Sequence, residues 1–167
     1  EFMRQLTSLL KLIACLVFLP VSTNVISNSP PIPEKISSFD YQATLKYSQA
    51  AIGQTIGEYT FTASNEQTVS LTQFRGKPLI ISLIYTSCYH TCPMTTKQLA
   101  RVVQIAQAAL GNNSFNVATI GFDTLQDTPQ TMRYFATSQG INLDHWYFLS
   151  TTAETIKGLT KDLGFTY

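Results

Sequence analysis

Residues 79–93, LIISLIYTSCYHTCP, decide the fold, because they run from a buried strand into a helix. Residues 79–85 form a nearly continuous apolar run that is short and rich in β-branched side chains. Such a run is typical of a strand that is buried on both faces in a parallel sheet. Beyond Pro93, apolar residues recur at helical spacing until Gly111, which supplies a helix stop. We therefore predict a strand over 79–85, a loop, and a helix that ends near Gly111.

The alternation of strand and helix continues towards the C-terminus. Residues 115–122 (FNVATIGF) and 146–149 (WYFL) predict two further strands. An apolar stripe at helical spacing follows each of them, first Met132, Phe135 and Ala136, then Ile156, Leu159 and Leu163. On the N-terminal side, a polar turn at 64–66 between two alternating segments predicts a β-hairpin. The pattern predicts an α/β fold: a mostly parallel sheet with flanking helices, right-handed crossovers and an N-terminal β-hairpin.

Composition limits the classes of function. The chain of 167 residues has 11 Lys and Arg against 10 Asp and Glu, which gives a net charge of +1. Its charged share of 13% is half of the usual share of about 25%. A nearly neutral chain without a basic block is a poor candidate for nucleic-acid binding, which needs many phosphate contacts. The 10 Phe, 8 Tyr and 44% hydrophobic residues exclude a disordered chain.

The N-terminal segment predicts export. Glu1 and Phe2 precede Met3, so we interpret Met3 as the natural start. A basic region is then followed by the apolar run 12–21 (LIACLVFLPV), which is shorter than the roughly 20 residues of a spanning helix. We assign residues 1–27 to a signal peptide, in preference to a retained membrane anchor. Either one places the folded part in the periplasm, free or anchored in the inner membrane.

The rest of the chain divides into a linker and one domain. Residues 28–34 (NSPPIPE) hold three prolines and predict a stiff, extended tether. Residues 36–52 have no clear pattern, so we assign 28–51 to a linker and lead-in. The folded domain is then 52–167. We expect it to be a monomer.

Cys88 and Cys92 are the two thiols of this domain, since Cys15 lies in the N-terminal apolar run. A close pair in an exported protein is a structural disulfide, a redox dithiol or a metal site. Both lie where a strand gives way to a helix N-terminus, which favours thiolate. Two residues four apart on a regular helix have Cβ atoms about 5–6 Å apart, beyond the roughly 3.5–4.5 Å of a disulfide. With Cys88 in the loop, both a disulfide and metal chelation become feasible.

Other polar residues near the pair have a structural and a functional interpretation. His90 could add an imidazole ligand for a metal ion, but a solvent-facing loop histidine is the favoured interpretation. Met94 has a soft thioether, yet we expect it to pack against the core. Asp123 follows the second strand of the parallel sheet and is expected to face the thiols. Asp127 is expected to be the N-cap of the helix that begins at Pro129.

Four motifs in unbroken order extend beyond the cysteine pair. They are 74–78 (FRGKP), the Cys88-x-x-x-Cys92-Pro93 segment, 122–129 (FDTLQDTP), and Gly164 with Phe165. With these motifs, residues 52–167 resemble the Sco/SenC family, thioredoxin-like copper chaperones that help to assemble the copper centre of cytochrome c oxidase.

The resemblance implies a cofactor, a ligand set and a partner. Copper, as Cu(I) and with a further ligand also Cu(II), would be held by Cys88 and Cys92 and by a histidine on a later hairpin. The chain stops at Tyr167 before such a histidine, so we expect it to be C-terminally incomplete and to lack that hairpin. The implied partner is an oxidase subunit that receives copper.

Two functions remain in competition, and a third is disfavoured. A metallochaperone would use the two thiolates to select Cu(I). A thiol–disulfide oxidoreductase would use Cys88 and Cys92 as a redox pair that keeps the copper-site cysteines of the target reduced, although the usual Cys-x-x-Cys spacing is absent. A peroxidase of the peroxiredoxin type would carry Thr three residues before its reactive cysteine. Tyr85 and Tyr89 occupy those positions here.

Overall fold

The computed structural model describes residues 40–167. The predicted signal peptide or anchor at 1–27 and the proline-rich tether lie outside the described residues. The helices are α1 (Tyr41–Gln49), α2 (Thr91–Leu110), α3 (Pro129–Ser138) and α4 (Ala153–Asp162), with a 3₁₀ helix at Leu71–Phe74. The strands are β1 (Thr60–Ala63), β2 (Thr68–Ser70), β3 (Leu79–Ile84), β4 (Asn116–Gly121) and β5 (Trp146–Ser150).

The five strands form one sheet in the order β2-β1-β5-β4-β3. Strands β3, β4 and β5 are parallel, while β1 is antiparallel to both β2 and β5. The predicted fold class is confirmed: an α/β fold with a largely parallel sheet, flanking helices and an N-terminal hairpin. Because β3 and β4 pair in register from Leu79 with Asn116 to Ile84 with Gly121, the loops that follow them leave the sheet side by side.

Two apolar clusters cover the two faces of the sheet. One joins β1, β4 and β5 to α4, and its buried members include Phe61, Ile120, Leu149, Ile156 and Leu159. The other joins β4 and β5 to α2 and α3, and its buried members include Val103, Val117, Met132, Phe135 and Phe148. The predicted stripes of α3 and α4 thus pack into these two clusters. Strands β4 and β5 contribute to both clusters, because successive side chains of a strand point to opposite faces of the sheet.

The prediction that the first parallel strand is buried on both faces was wrong. Most side chains of β3 are half-buried, and Ile80 is 37% exposed. In the part of the chain that the structure describes, β3 pairs only with β4 and lies at the edge of the sheet. All residues of β4 are buried instead, because β4 lies between β3 and β5. Apolar character predicts a strand but not its place in the sheet.

Helix α1 lies in the lead-in, for which the sequence predicted no element. Its N-cap is Asp40, whose side chain accepts the Ala43 N–H at 2.9 Å. None of its residues is buried, which explains why it lacks an apolar stripe. Within residues 40–167, no helix is both long and apolar enough to cross a lipid bilayer.

Gly121 is the last residue of β4, and it permits a close approach of Asp127. A Cβ at Gly121 would lie 2.3 Å from the Asp127 Cβ. We expect Gly121→Ala to lower the free energy of unfolding by about 1–3 kcal/mol, as overpacking does, measured by urea denaturation. In the control Gly158→Ala in α4, the new Cβ would meet the ring edge of Tyr59 at 3.0 Å. The new contact at Gly158 is longer than the one at Gly121, so an equal loss in both variants would contradict the prediction.

Candidate metal centre

The two cysteines lie beyond the carboxyl end of β3, where the sequence placed them. β3 ends at Ile84, and α2 begins at Thr91. Cys88 is in the intervening loop and Cys92 is in the first turn of the helix. Both are half-buried free thiols.

The backbone brings the two residues together. The Cys88 N–H donates to the Tyr85 carbonyl at 3.1 Å, which turns the loop back after the strand. The Cys92 N–H donates to the Cys88 Sγ at 3.3 Å. This N–H belongs to the first turn of α2, where backbone donors have no partner within the helix. The Cys88 sulfur therefore lies at the positive end of the helix, which stabilises a thiolate.

The two thiols differ in acidity. The Cys92 N–H, followed by the hydrogen bond with the Cys92 side chain, lowers the pKa of Cys88 from 9.0 to about 7. Burial is the main cause that raises the pKa of Cys92 above its usual value, and this residue packs against the cluster around Val103. The hydrogen bond with Cys88 raises the pKa of the Tyr85 hydroxyl. Near neutral pH, the pair therefore combines a readily ionised outer thiol with a protonated inner thiol.

The donor set fits a soft metal ion that accepts few ligands. Among residues 40–167, no group of three or more His, Cys, Asp or Glu side chains could hold a metal ion. The two sulfurs are soft ligands, and soft thiolates select ions such as Cu(I). Cys88 and Cys92 are the residues that would hold the ion. A structural zinc site needs four ligands, so this set of donors does not match one.

His90 and Met94 flank the pair without joining it. His90 occupies the N-cap position of α2, is exposed, and makes no capping hydrogen bond with its side chain. The expected solvent-facing position is therefore observed. Met94 was expected to pack against the core, and this was wrong, because its side chain is 58% exposed. It lies away from the face of α2 that buries Thr96 and Val103.

The N-cap prediction for Asp127 was also wrong. Thr128 is the N-cap of α3, and its hydroxyl accepts the Thr131 N–H at 3.2 Å. Asp127 is 1% exposed and points to the loop that carries the thiols. Its Oδ1 accepts the Thr86 N–H and the Thr86 hydroxyl, both at 2.7 Å, and its Oδ2 accepts the Asp123 N–H at 2.8 Å. We call Thr86, Asp123 and Asp127 the Asp127 network.

Sequence reasoning missed this network, because Thr86 lies 41 residues before Asp127 in the chain. Nothing in the sequence around Thr86 and Cys88 indicates that Thr86 has a hydrogen-bond partner elsewhere in the chain. Asp123 was expected to face the thiols, and what the structure shows is a role of its backbone, whose N–H donates to Asp127. The segment 122–129 was identified as a motif, but the partner of its second aspartate could not be deduced from spacing. Only the alignment of β3 with β4 brings the two loops together.

A groove gives access to Cys88 from one side. Its volume is about 360 Å³, and it is lined by residues 86–89 together with Tyr134 of α3 and Gln139 at the C-cap of that helix. Tyr89 is 95% exposed. A larger hollow of about 660 Å³ runs along the outside of α2, but neither thiol lines it. The smaller groove is therefore the one that leads to the site.

Comparisons with known proteins agree with this geometry. A family profile described as SCO1/SenC matches residues 48–167. The SCO1 protein homolog of Bacillus subtilis is 25% identical over 92 residues, 55% of this chain and 47% of that protein. The chain thus spans about half the length of this curated relative.

Two solved structures have similar folds. The structure of Bradyrhizobium japonicum ScoI with copper bound has a TM-score of 0.56 and 26% identity, over 65% of this chain and 67% of that chain. BsSco, described as a member of the Sco family of cytochrome c oxidase assembly proteins, has a TM-score of 0.56 and 23% identity. That match covers 63% of this chain and 60% of the BsSco chain, and it supports the fold alone.

The difference in acidity predicts different rates of alkylation for the two thiols. In a Cys15→Ser background, we expect the rate of Cys88 modification by iodoacetamide to rise with pH and to be half-maximal near pH 7, because its pKa is about 7. Cys92 should react only at higher pH, because its pKa is raised. Peptide mass spectrometry over a pH series measures both rates.

The control is Cys92→Ser, which removes the inner thiol but keeps the backbone N–H that is the main cause of the lowered pKa. The Cys88 midpoint should stay well below 9.0 in this variant. Faster modification of Cys92 than of Cys88 in the unmutated pair would contradict the assignment.

Proposed function

Since this chain belongs to the SCO1/SenC family, we propose that it is a copper-binding metallochaperone that carries the ion on Cys88 and Cys92. The observation that carries the proposal is the Cys88 Sγ at the N-terminus of α2, where it accepts the Cys92 N–H at 3.3 Å. This contact links the loop that carries Cys88 to the first turn of the helix that carries Cys92, and Cys88 lines a groove. The copper-bound structure of a relative with 26% identity supports the choice of metal.

The acidity of the pair suits a carrier that must both bind and release its cargo. Binding requires deprotonated sulfur, so protons compete with the metal. A Cys88 pKa of about 7 keeps this competition weak at Cys88 near neutral pH, whereas the raised pKa of Cys92 means that the metal must displace a proton from the inner thiol. Two thiolates satisfy Cu(I), which accepts few and soft ligands. A site with so few ligands leaves the ion open to attack by donors of a recipient from the groove side.

We propose that the recipient is a cytochrome c oxidase subunit. This choice rests on the family to which the chain belongs, because the Sco/SenC resemblance of residues 52–167 implies a role in assembling the copper centre of that oxidase. The apolar run at 12–21 supports export, and we propose that residues 1–27 direct or anchor the chain on the periplasmic side. Residues 28–51 would then be a linker and a lead-in that includes α1, and residues 52–167 the copper-carrying domain, which acts as a monomer.

The purified protein should bind Cu(I) in a ratio near one, because a single pair of thiols supplies the ligands. We would use a Cys15→Ser background, so that Cys88 and Cys92 are the only cysteines left in the chain. Competition with a chromogenic Cu(I) chelator measures the affinity. Cys88→Ser and Cys92→Ser should each weaken binding strongly, and the double variant should abolish it.

The matched control is His90→Ala, which removes an exposed side chain between the two thiols and should leave Cu(I) affinity unchanged. Undiminished binding in the double serine variant would overturn the proposal.

A thiol–disulfide oxidoreductase is the second candidate, and the acidity of Cys88 favours it. An attacking thiol works best when its pKa is near the ambient pH, and the pKa of Cys88 is about 7. In this role Cys88 would attack a disulfide of the target, and Cys92 would resolve the mixed disulfide. The copper-site cysteines of an oxidase subunit would be the substrate.

We nevertheless expect the metal-free protein to be a poor general disulfide reductase. The three residues between Cys88 and Cys92 make the internal disulfide harder to close than in a Cys-x-x-Cys loop, so resolution should be slow. Insulin reduction with dithiothreitol as the electron donor measures turnover. The Cys88→Ser variant serves as the inactive control, whose rate is subtracted. Turnover equal to that of a thioredoxin would favour the second candidate.

A further inference from the structure

We propose that Asp127 is a positioning residue for the thiol site, which holds Thr86, and with it the start of the loop that carries Cys88, against the loop after β4. The copper measurements below rest on the proposed function, whereas a copper-free measurement tests the positioning role independently. The proposal depends on three features: the environment of the carboxylate, the place of Thr86 in the chain, and the close contact with Gly121.

Asp127 is a buried carboxylate whose charge is compensated by hydrogen bonds. It is 1% exposed, and its two oxygens accept three hydrogen bonds at 2.7–2.8 Å. The two ion pairs within residues 40–167 involve Glu58 and Glu66, not Asp127. A buried charge is costly unless hydrogen bonds compensate it, and such bonds to a charged acceptor are strong. The loops that donate them are therefore held closely to Asp127.

Thr86 connects this carboxylate to the thiols. The parallel ladder ends at Ile84, whose carbonyl accepts the Phe122 N–H at 2.9 Å. The Thr86 N–H, two residues farther on, donates to Asp127 instead, and so does its hydroxyl. Cys88 follows after Ser87, and its sulfur meets the N-terminus of α2. The loop 85–90, which carries Cys88 and which we call the thiol loop, is thus held at one end by Asp127 and at the other by α2.

The close contact with Gly121 fixes Asp127 in turn. A Cβ at Gly121 would lie 2.3 Å from the Asp127 Cβ and 2.8 Å from its carboxyl carbon. The missing side chain lets the aspartate lie against the end of β4. Because Gly121 pairs with Ile84 in the sheet, the position of Asp127 is set by the strand that leads into the thiol loop. Loosening this contact should loosen the geometry of the two sulfurs.

The test uses Asp127→Asn and Thr86→Val in the full chain with Cys15→Ser. Asp127→Asn replaces one accepting oxygen by a donor, and Thr86→Val removes only the hydroxyl while keeping the N–H bond. Groups that orient metal ligands typically contribute 10–100-fold in affinity, so we expect Asp127→Asn to weaken Cu(I) binding by about that factor. Thr86→Val should have a smaller effect. In the double variant the losses should not add, because both substitutions act on one contact.

Hydrogen exchange of the metal-free protein provides the copper-free measurement. Asp127→Asn should raise exchange in the peptide that contains residues 86–92 and leave exchange in α4 unchanged. Thr86→Ser keeps both the N–H and the hydroxyl that donate to Asp127. Unlike Thr86→Val, it should therefore show the exchange and the Cu(I) affinity of the wild type. The matched control is Thr160→Val, which removes a buried hydroxyl in α4 that donates to the Ile156 carbonyl at 2.8 Å. It should lower the melting temperature without changing Cu(I) affinity.

The outcomes separate the positioning role from the proposed function. If the wild type binds no Cu(I), the proposed function fails, and hydrogen exchange alone decides the role of Asp127. Unchanged exchange at 86–92 in Asp127→Asn would overturn the inference. A loss of Cu(I) affinity that Thr160→Val shares would also overturn it, because the effect would then follow stability and not the position of the loop.

Discussion

The parallel pairing of β3 with β4 is the constraint on which the rest of this structure depends. The register joins Leu79 with Asn116 and Ile84 with Gly121, so both strands end at the same level. Their loops therefore leave the sheet side by side, one leading through Cys88 to Cys92 at the start of α2 and the other with Asp123 and Asp127. Ligand sites of α/β proteins usually lie at such carboxyl ends. In this chain, the same geometry also explains why a carboxylate can hold the loop of the thiols.

The thiol pair is asymmetric because its members belong to different local structures. Cys88 lies in the loop and accepts a free N–H of the helix, whereas Cys92 lies in the helix and packs against the core. The first environment favours a thiolate and the second disfavours it. This asymmetry suits a carrier of Cu(I), but it also suits a thiol that attacks disulfides. The spacing between the two cysteines, and not their acidity, is what distinguishes the two functions.

Sequence pattern predicted elements well where local and tertiary requirements agree. The stripe Met132, Phe135 and Ala136 is buried on α3, as its spacing required. The exposed helix α1 has no apolar stripe, so nothing in its pattern indicated a helix. β3 is apolar yet only half-buried, since its exposure depends on its neighbours in the sheet. Burial is a property of the assembled sheet, and a single strand does not encode it.

The sequence by itself determined the α/β order of the elements, the family resemblance, and the position of Cys88 and Cys92 at the junction of a strand with a helix. These features depend on local periodicity and on short motifs. Only the tertiary structure decided that the Cys92 N–H donates to the Cys88 sulfur, and that Asp127 binds Thr86 rather than capping a helix. The physical reason is that Thr86 and Asp127 come together only when β3 and β4 align, which brings distant segments to one edge of the sheet.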